Sequence, residues 1–452
     1  MTSQKTKTLY WILSIFFIVG MFYSFEINYT TYDFNIGEIN KKINIYFIYI
    51  IIATIFYAKY FIKSFYSKET YIIFLVSTLT LSRQIPLFIH YIILVSVLIF
   101  VFILNIKKIN FFYYISKKTA FYFFLFLVIQ LISTFINGFN LVSVKSIIQQ
   151  FIFLFIIYTI YISLGRIKFS SKVFYPGYII GVIICLDYTF QIFLDIFLKN
   201  NVTLFQRGDL LFYNSPTAIG LSLSLCIFLI FLKLVTEKIK IYDIICLMYF
   251  LLILFFCGSR ESLLFIFLIF LFIIFHKKWY LNSFFFFTVI TSTIFIIIFK
   301  DFFIESLRIN NLLSGRELIW ALSIQLIASN YFFGIGPDLY STKLVSNYGN
   351  TWDLRGAISG NGSHNIFLDL LLSGGILLLF LFLIMSFYYI KKIKSINNNY
   401  SIYVKYFFLS YLIVAQFGSR GLIGGGLGEG ILIWYILILG ISENEIFNTK
   451  SS

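Results

Sequence analysis

Fourteen apolar stretches, each near the length that crosses a bilayer, set what this chain can fold into. A spanning helix needs about 20 mostly apolar residues, because no water in the hydrocarbon core can satisfy exposed backbone groups. The stretches lie near 9–24, 43–62, 71–82, 87–106, 119–137, 146–165, 173–198, 215–235, 241–257, 261–276, 279–299, 366–390, 401–417 and 422–440. The third is the shortest and is rich in Thr. Only 12% of the 452 residues are charged, about half the usual share in soluble proteins, too few to cover a soluble surface of this size. The 21% aromatic content excludes disorder. Four Cys, all within spans and without metal-ligand spacing, exclude a disulfide scaffold. Strands of a membrane barrel would alternate apolar and polar residues, whereas Leu263–Phe275 and Ile376–Met385 are apolar all round. The expected fold is an all-α polytopic membrane protein forming one integral-membrane domain over 1–452, with a large hydrophilic loop at 300–365. No soluble domain is expected at either end, and the first span reads as a retained anchor.

The net charge of +16 follows the spans. With the N-terminus in the cytoplasm, the cytoplasmic segments hold 22 of the 35 basic residues, and every short cytoplasmic loop is basic. Those segments sum to +17 and the remainder to −1. The charge is therefore a topology signal that places both termini inside, and nucleic acid is not expected as a partner. Arginine departs from this pattern. Of eight Arg, only Arg166 is cytoplasmic; Arg83, Arg207, Arg260, Arg308, Arg316, Arg355 and Arg420 fall on the outer side. Lysine serves topology as a hydrated point charge, whereas the planar fork of Arg suits phosphate. The bias points to an anion bound at the outer face, with interfacial snorkelling as the alternative for any single Arg.

The loop 300–365 contains a readable helix. Ser314 and Glu317 have capping-box spacing, and Leu318, Ile319, Leu322 and Leu326 recur at helical intervals. Asn330 and the Gly334-Ile-Gly336-Pro337 turn end it. This helix should lie flat with its apolar side down. Arg316, in its first turn, opposes the helix dipole, so it suits an anion site better than helix stability; a surface pair with Glu317 is the alternative. The loop closes with Gly360-Asn361-Gly362-Ser363-His364-Asn365, and the twelfth span follows at once. His364 thus stands at an outer helix N-terminus, where imidazolium is disfavoured and a neutral general base is favoured. A capping or interfacial His is the alternative. Of the other two His, His276 reads as interfacial and His90 as a satisfied polar residue.

Gly258-Ser259-Arg260 and Gly418-Ser419-Arg420 form outer hairpins, and Arg207 precedes Asn214-Ser215-Pro216. The Gly-rich run 421–430 lacks the Lys-Ser/Thr of a P-loop and suits close helix packing. Asp187 is an intramembrane acid and a functional candidate by default. No metal-binding motif occurs, so neither metal nor cofactor is expected.

Gly258-Ser259-Arg260 opening a span, Arg316-x-x-x-Trp320 with Gly334-x-Gly336-Pro337, and Ser363-His364-Asn365 running into a span with Gly374-Gly375 together resemble the O-antigen polymerase and O-antigen ligase superfamily. The resemblance covers roughly 205–390. It implies a GT-C-like helical fold, glycosyl transfer from polyprenyl pyrophosphate, His364 as the catalytic base, and Arg316 and Arg260 as groups on the diphosphate. Arg207, Arg355, Arg420 and Asn365 are the further candidates for binding substrate. Ligases of the superfamily carry a small or hydroxyl residue where this chain has Leu378, which favours a polymerase. The expected enzyme is a metal-independent, inverting polymerase of lipid-linked repeat units, making an O-antigen or capsule. The alternatives are a ligase and, in another class, a transporter or flippase; the outer-mouth placement of the candidates and the lack of a clear repeat favour an enzyme. The expected partners are the lipid-linked glycan donor and acceptor, the bilayer and, compatibly, a chain-length regulator protein. The expected location is the bacterial inner membrane, with the active site on the extracytoplasmic face.

Overall fold

The computed structural model describes residues 76, 77, 80, 117–164, 171–199, 216–277, 316–340, 342–343, 363–394, 401–417 and 427–448. Every regular element among them is helical. They are α1 (Lys117–Ile136), α2 (Leu141–Leu164), α3 (Tyr175–Lys199, entered through a 3-10 turn at Ser171–Phe174), α4 (Pro216–Thr236), α5 (Ile241–Phe256), α6 (Arg260–Lys277), α7 (Arg316–Ser329), α8 (Ile366–Lys394), α9 (Ser401–Val414) and α10 (Leu427–Asn448). Nine of them overlap expected spans, most to within a few residues, although α10 begins five residues after and ends eight residues beyond the expected 422–440, and α7 is the helix expected after Ser314. The spans near 9–24, 43–62, 87–106 and 279–299, and most of 71–82, lie outside the described residues. The count of fourteen is thus an expectation of the sequence alone.

Two helical segments, Thr217–Thr236 in α4 and Ile366–Ile393 in α8, are long and apolar enough to cross a membrane, and six shorter helices are apolar. The first is 78% buried and the second 44%, which makes α4 the centre of the bundle and α8 its flank. On α8 the outward positions Phe380, Leu383, Ile384 and Phe387 follow helical spacing, with Phe380 63% and Phe387 70% exposed. Ile241, Ile245, Met248 and Leu252 do the same on α5. Continuous apolar faces turned outward suit lipid.

Helices in lipid associate by close packing, and small residues let them approach. Gly181 of α3 leaves room for the Phe250 ring of α5, where an added Cβ would lie 2.1 Å away. Gly440 of α10 does the same for Val404 of α9. Phe407 of α9 stacks on Phe228 of α4, with ring centroids 4.7 Å apart, and meets Phe265 of α6 edge-on. Cys185, Cys226 and Cys257 are buried free thiols, as small apolar fillers should be. Asp187 falls within α3, and its side chain lies outside the described set.

One charged cluster sits inside the bundle. Lys233 of α4 and Asp243 of α5, both about 1% exposed, form an ion pair at 2.6 Å. Tyr178 of α3 donates to Asp243 at 2.5 Å, and the Lys240 backbone N–H donates to it at 3.1 Å. Lys233 also donates to the Tyr242 hydroxyl at 3.1 Å and lies over the Tyr242 and Tyr178 rings. By position in the sequence both charges count in cytoplasmic segments; in the structure they cancel as a buried pair, so the expected charge balance is the same with or without them. Breaking such a pair from one side strands the other charge. Lys233→Met should therefore cost about 3–5 kcal/mol, and Lys233→Met with Asp243→Leu much less. Thermal denaturation in detergent reads the difference.

Candidate active site where three helix starts meet

The site is built from the starts of α6, α7 and α8. The α5–α6 hairpin turns at Gly258, whose φ of 63° is a left-handed conformation that glycine adopts at no steric cost. Ser259 follows, 2% exposed; its carbonyl accepts from the Ser262 and Leu263 N–H groups, and its hydroxyl bonds that of Ser262 at 2.7 Å. Gly220 of α4 lies against this cap, where a Cβ would sit 2.4 Å from that of Ser259. Arg260 is therefore the first residue of a helix whose start is held by the central helix.

α7 meets this start directly. Arg316, its first residue, forms an ion pair with Glu261, and both side chains are mostly buried. The pair is not with Glu317, which is exposed. One turn later, the Trp320 indole N–H donates to the Ser363 carbonyl at 3.1 Å. Arg316 and Trp320 thus share one face of α7, separated by a rise of about 6 Å, and they tie it to the starts of α6 and α8.

Ser363 is held at every polar group. Its N–H and hydroxyl reach one carboxylate oxygen of Asp369, at 2.6 and 2.8 Å, while Trp320 holds its carbonyl. Two residues on, Asn365 caps α8: its side-chain oxygen accepts from the Phe367 and Leu368 N–H groups, and its own N–H donates to the Ser363 hydroxyl. The Ile366 N–H donates to the Ala415 carbonyl at the end of α9. His364 stands between these fixed residues with φ 57°. A non-glycine residue there costs about 1–2 kcal/mol, and its hydrogen-bonded neighbours impose that conformation. Strain held this way marks functional positions more often than filler.

α7 is also anchored at its far end. The segment 331–337 enters a break in α8 at Gly374 (φ −152°) and Gly375 (φ 67°). The Leu372 carbonyl, freed by the break, accepts from the Ile335 and Gly336 N–H groups at 2.7 and 3.2 Å, and the Ile376 N–H donates to the Tyr331 carbonyl at 2.8 Å. From the other side, Asn137 donates to the Gly334 carbonyl and Ser143 to that of Pro337. Ile319, Leu322, Leu326, Ile335, Leu339, Tyr340 and Leu372 close a small core beneath α7. Of the apolar residues expected on one side of this helix, Ile319, Leu322 and Leu326 are buried, while Leu318 is 45% exposed. One step from Ile319 turns a side chain by about 100°, to the edge of the buried arc.

The structure thus brings Arg260, Arg316, His364 and Asn365 to one end of the bundle, whereas Arg207, Arg355 and Arg420 lie outside the described residues. Sequence reasoning missed Glu261 as the partner of Arg316 and Asp369 as the brace of Ser363. Asp369 was findable: it is the only acid in an otherwise apolar span, the signal that singled out Asp187. Helix N-termini carry partial positive charge, and the three that meet here bring Arg260 and Arg316 together with the carboxylates of Glu261 and Asp369. Among the described residues, no three His, Cys, Asp or Glu side chains gather around a common metal position.

Residues 245–383, about a third of the chain, match the family described as O-antigen ligase. The matched stretch contains Arg260, Glu261, Arg316, Trp320, His364, Asp369 and the α8 break. It supports the O-antigen polymerase and ligase superfamily, glycosyltransferase-like enzymes of glycan assembly associated with bacterial membranes. No curated protein matches the chain.

Proposed function

We propose that this chain, whose centre matches the O-antigen ligase family, polymerises lipid-linked oligosaccharide repeats by inverting glycosyl transfer. The observation that carries this reading is the convergence of Arg316, Arg260 and the strained His364 on three helix starts. The donor glycan is bound through its C1 to polyprenyl pyrophosphate. The acceptor hydroxyl attacks C1 from the face opposite the diphosphate, forming the new C1–O bond as the old one breaks. His364 takes the hydroxyl proton. The departing pyrophosphate gains charge, and Arg316, Arg260 and the helix starts stabilise it. Asn365 caps the helix that carries His364, and Asp369 holds the residue before it, so the imidazole is preset for the attack. Arg207, Arg355 and Arg420 are proposed to contact the substrate. The site faces the extracytoplasmic side of the bacterial inner membrane, with both termini in the cytoplasm.

His364→Ala should lower transfer by about 10²–10⁴ while the protein accumulates normally. On a polysaccharide gel, the polymerase reading requires single repeat units on the terminal acceptor. The second reading, a ligase, is favoured by the description of the matched family; it requires long chains still on the lipid carrier. Leu378 supports the first, since it is fully buried and Gly374 packs on it, leaving no small or hydroxyl residue at that position. Full-length, fully attached polysaccharide would remove His364 from the chemistry.

A further inference from the structure

The small core beneath α7 belongs almost wholly to α7 and the segment that follows it. Ile319, Leu322, Leu326, Ile335, Leu339 and Tyr340 all lie within 316–340, and Leu372 of α8 completes the cluster. The Tyr340 hydroxyl donates to the Ile319 carbonyl at 3.1 Å, which closes the unit on itself. Residues 316–340 thus carry their own packing, and a short set of contacts ties them to the bundle. At one end stand the Arg316–Glu261 pair, the Trp320–Ser363 bond and the Trp320 ring, 6.3 Å from that of Phe417. At the other end Asn137 and Ser143 hold the carbonyls of Gly334 and Pro337, and Ser146 bonds the Asp338 carboxylate, beside Lys145.

The bonds in the α8 break form an exchangeable set. In an unbroken α-helix each N–H donates to the carbonyl four residues earlier, so the Ile376 N–H would donate to the Leu372 carbonyl. The break frees that donor and that acceptor, and the docked segment takes both: Tyr331 accepts from Ile376, while Ile335 and Gly336 donate to Leu372. If the segment leaves, the two α8 groups can bond each other, and neither is stranded in a solvent that cannot satisfy it. Asn137, Ser143 and Ser146 adjoin the α1–α2 turn, where Gly138 and Phe139 are exposed, so water can replace the segment there. Glycine at 374 and 375 serves both forms, since it adopts helical and left-handed conformations alike. Docking also holds Asp338 at φ 56°, a conformation uncommon for a residue with a side chain, and undocking relaxes it.

Resting on the glycosyl-transfer reading above, we propose that residues 316–340 form a lid over the site, with two states that exchange one set of α8 hydrogen bonds for another. In the closed state the segment fills the break, and Arg316 and Trp320 sit on the starts of α6 and α8. In the open state α8 is continuous, and the lid carries Arg316 and Trp320 away from those starts. A lipid-linked glycan keeps its tail in the bilayer and its sugars in water, so it enters a site from the side, and opening admits it. Its diphosphate then favours closure, because Arg316 belongs to the lid and a ligand shifts an equilibrium toward the state that binds it better.

Amide hydrogen exchange on the full chain in lipid nanodiscs, resolved by fragmentation mass spectrometry, reads the lid directly. The Ile335 and Gly336 amides should exchange about tenfold or more faster than that of Ile376, which has an acceptor in both states. Gly374→Ala favours the continuous helix, since Ala is the better helix former and its Cβ would lie 2.8 Å from that of Leu378 in the closed form. It should speed exchange at 335–336 about tenfold and leave Ile376 unchanged. Ile376→Pro acts in reverse, because Pro fits the first turn of a helix but not its interior. It should slow exchange at 335–336 about tenfold, and polysaccharide chain growth should fall by a similar factor with little change in melting temperature. Equal exchange of the three amides, no gain in Gly374→Ala, or faster exchange in Ile376→Pro would each overturn the lid. Undiminished chain growth in Ile376→Pro would overturn its role in admitting substrate. Should Ile376→Pro fail to accumulate, exchange in the wild type and in Gly374→Ala still decides. Because exchange needs no turnover, it reports on the lid even if His364→Ala proves active and the catalytic reading fails.

Discussion

Gly375→Ala should abolish the folded site. The added Cβ would lie 2.1 Å from the Phe332 carbonyl oxygen and 2.3 Å from its carbon. Those are backbone atoms of a segment held on both sides, so no flexible side chain can swing away. The residue also sits at φ 67°, ψ −162°, a region nearly reserved for glycine. Relief requires the segment 331–337 to leave the break. That gives up the bonds from Ile335 and Gly336 to Leu372 and from Ile376 to Tyr331, and it uncovers the small core beneath α7. Strain and unmade bonds together are on the order of 5 kcal/mol, comparable with the whole stability of many domains. Gly138→Ala is the control. Gly138 also has positive φ, 83°, but nothing lies within 4 Å of its added Cβ, so it should cost only about 1 kcal/mol. Detergent-extracted protein assayed by size exclusion after heating separates the two. Equal behaviour would mean that the segment does not occupy the break.

Arg316→Ala should remove transfer activity and also loosen the site, and these effects can be separated. The Arg316–Glu261 pair joins the starts of α7 and α6. Losing the cation leaves a mostly buried carboxylate beside the proposed diphosphate position, where it repels the substrate. Transfer should fall by about 10²–10³ for the lost electrostatic contact, and the melting temperature should drop as well. Adding Glu261→Gln should restore the melting temperature without restoring transfer, because the neutral amide needs no cation but supplies none to the leaving group. Arg316→Lys keeps the charge and loses the fork, so its transfer should lie between wild type and Ala. If the double variant regains transfer, Arg316 serves only to neutralise Glu261, and the diphosphate role falls to other groups.

Much of this site is legible in the amino-acid sequence. The helix carrying Arg316, the start of α8 at His364-Asn365 and the α5–α6 hairpin at Gly258-Ser259 are local features. Capping, apolar runs and turn glycines report them within a few residues of chain. The Arg bias directs attention to the same end of the bundle. The partners are not legible. Arg316 and Glu261 are 55 residues apart, and Trp320 and Ser363 are 43 apart; the nearer carboxylate, Glu317, is the obvious wrong choice. Lys233 illustrates the same limit, since a basic residue at a helix end reads as a solvated loop charge until its neighbours bury it.

The sequence by itself determined that this chain is a bundle of apolar helices and where most of them start. It also determined which few Arg and His residues stand apart from the topology charges. Each of these follows from the chemistry of consecutive residues in a solvent that cannot satisfy a bare backbone. The tertiary structure decided that the helix expected as one unbroken span over 366–390 is interrupted at Gly374-Gly375. Two glycines permit a break but do not require one. The break persists because a segment some 40 residues earlier supplies the hydrogen bonds that the helix gave up, and only the folded chain brings those donors and acceptors together.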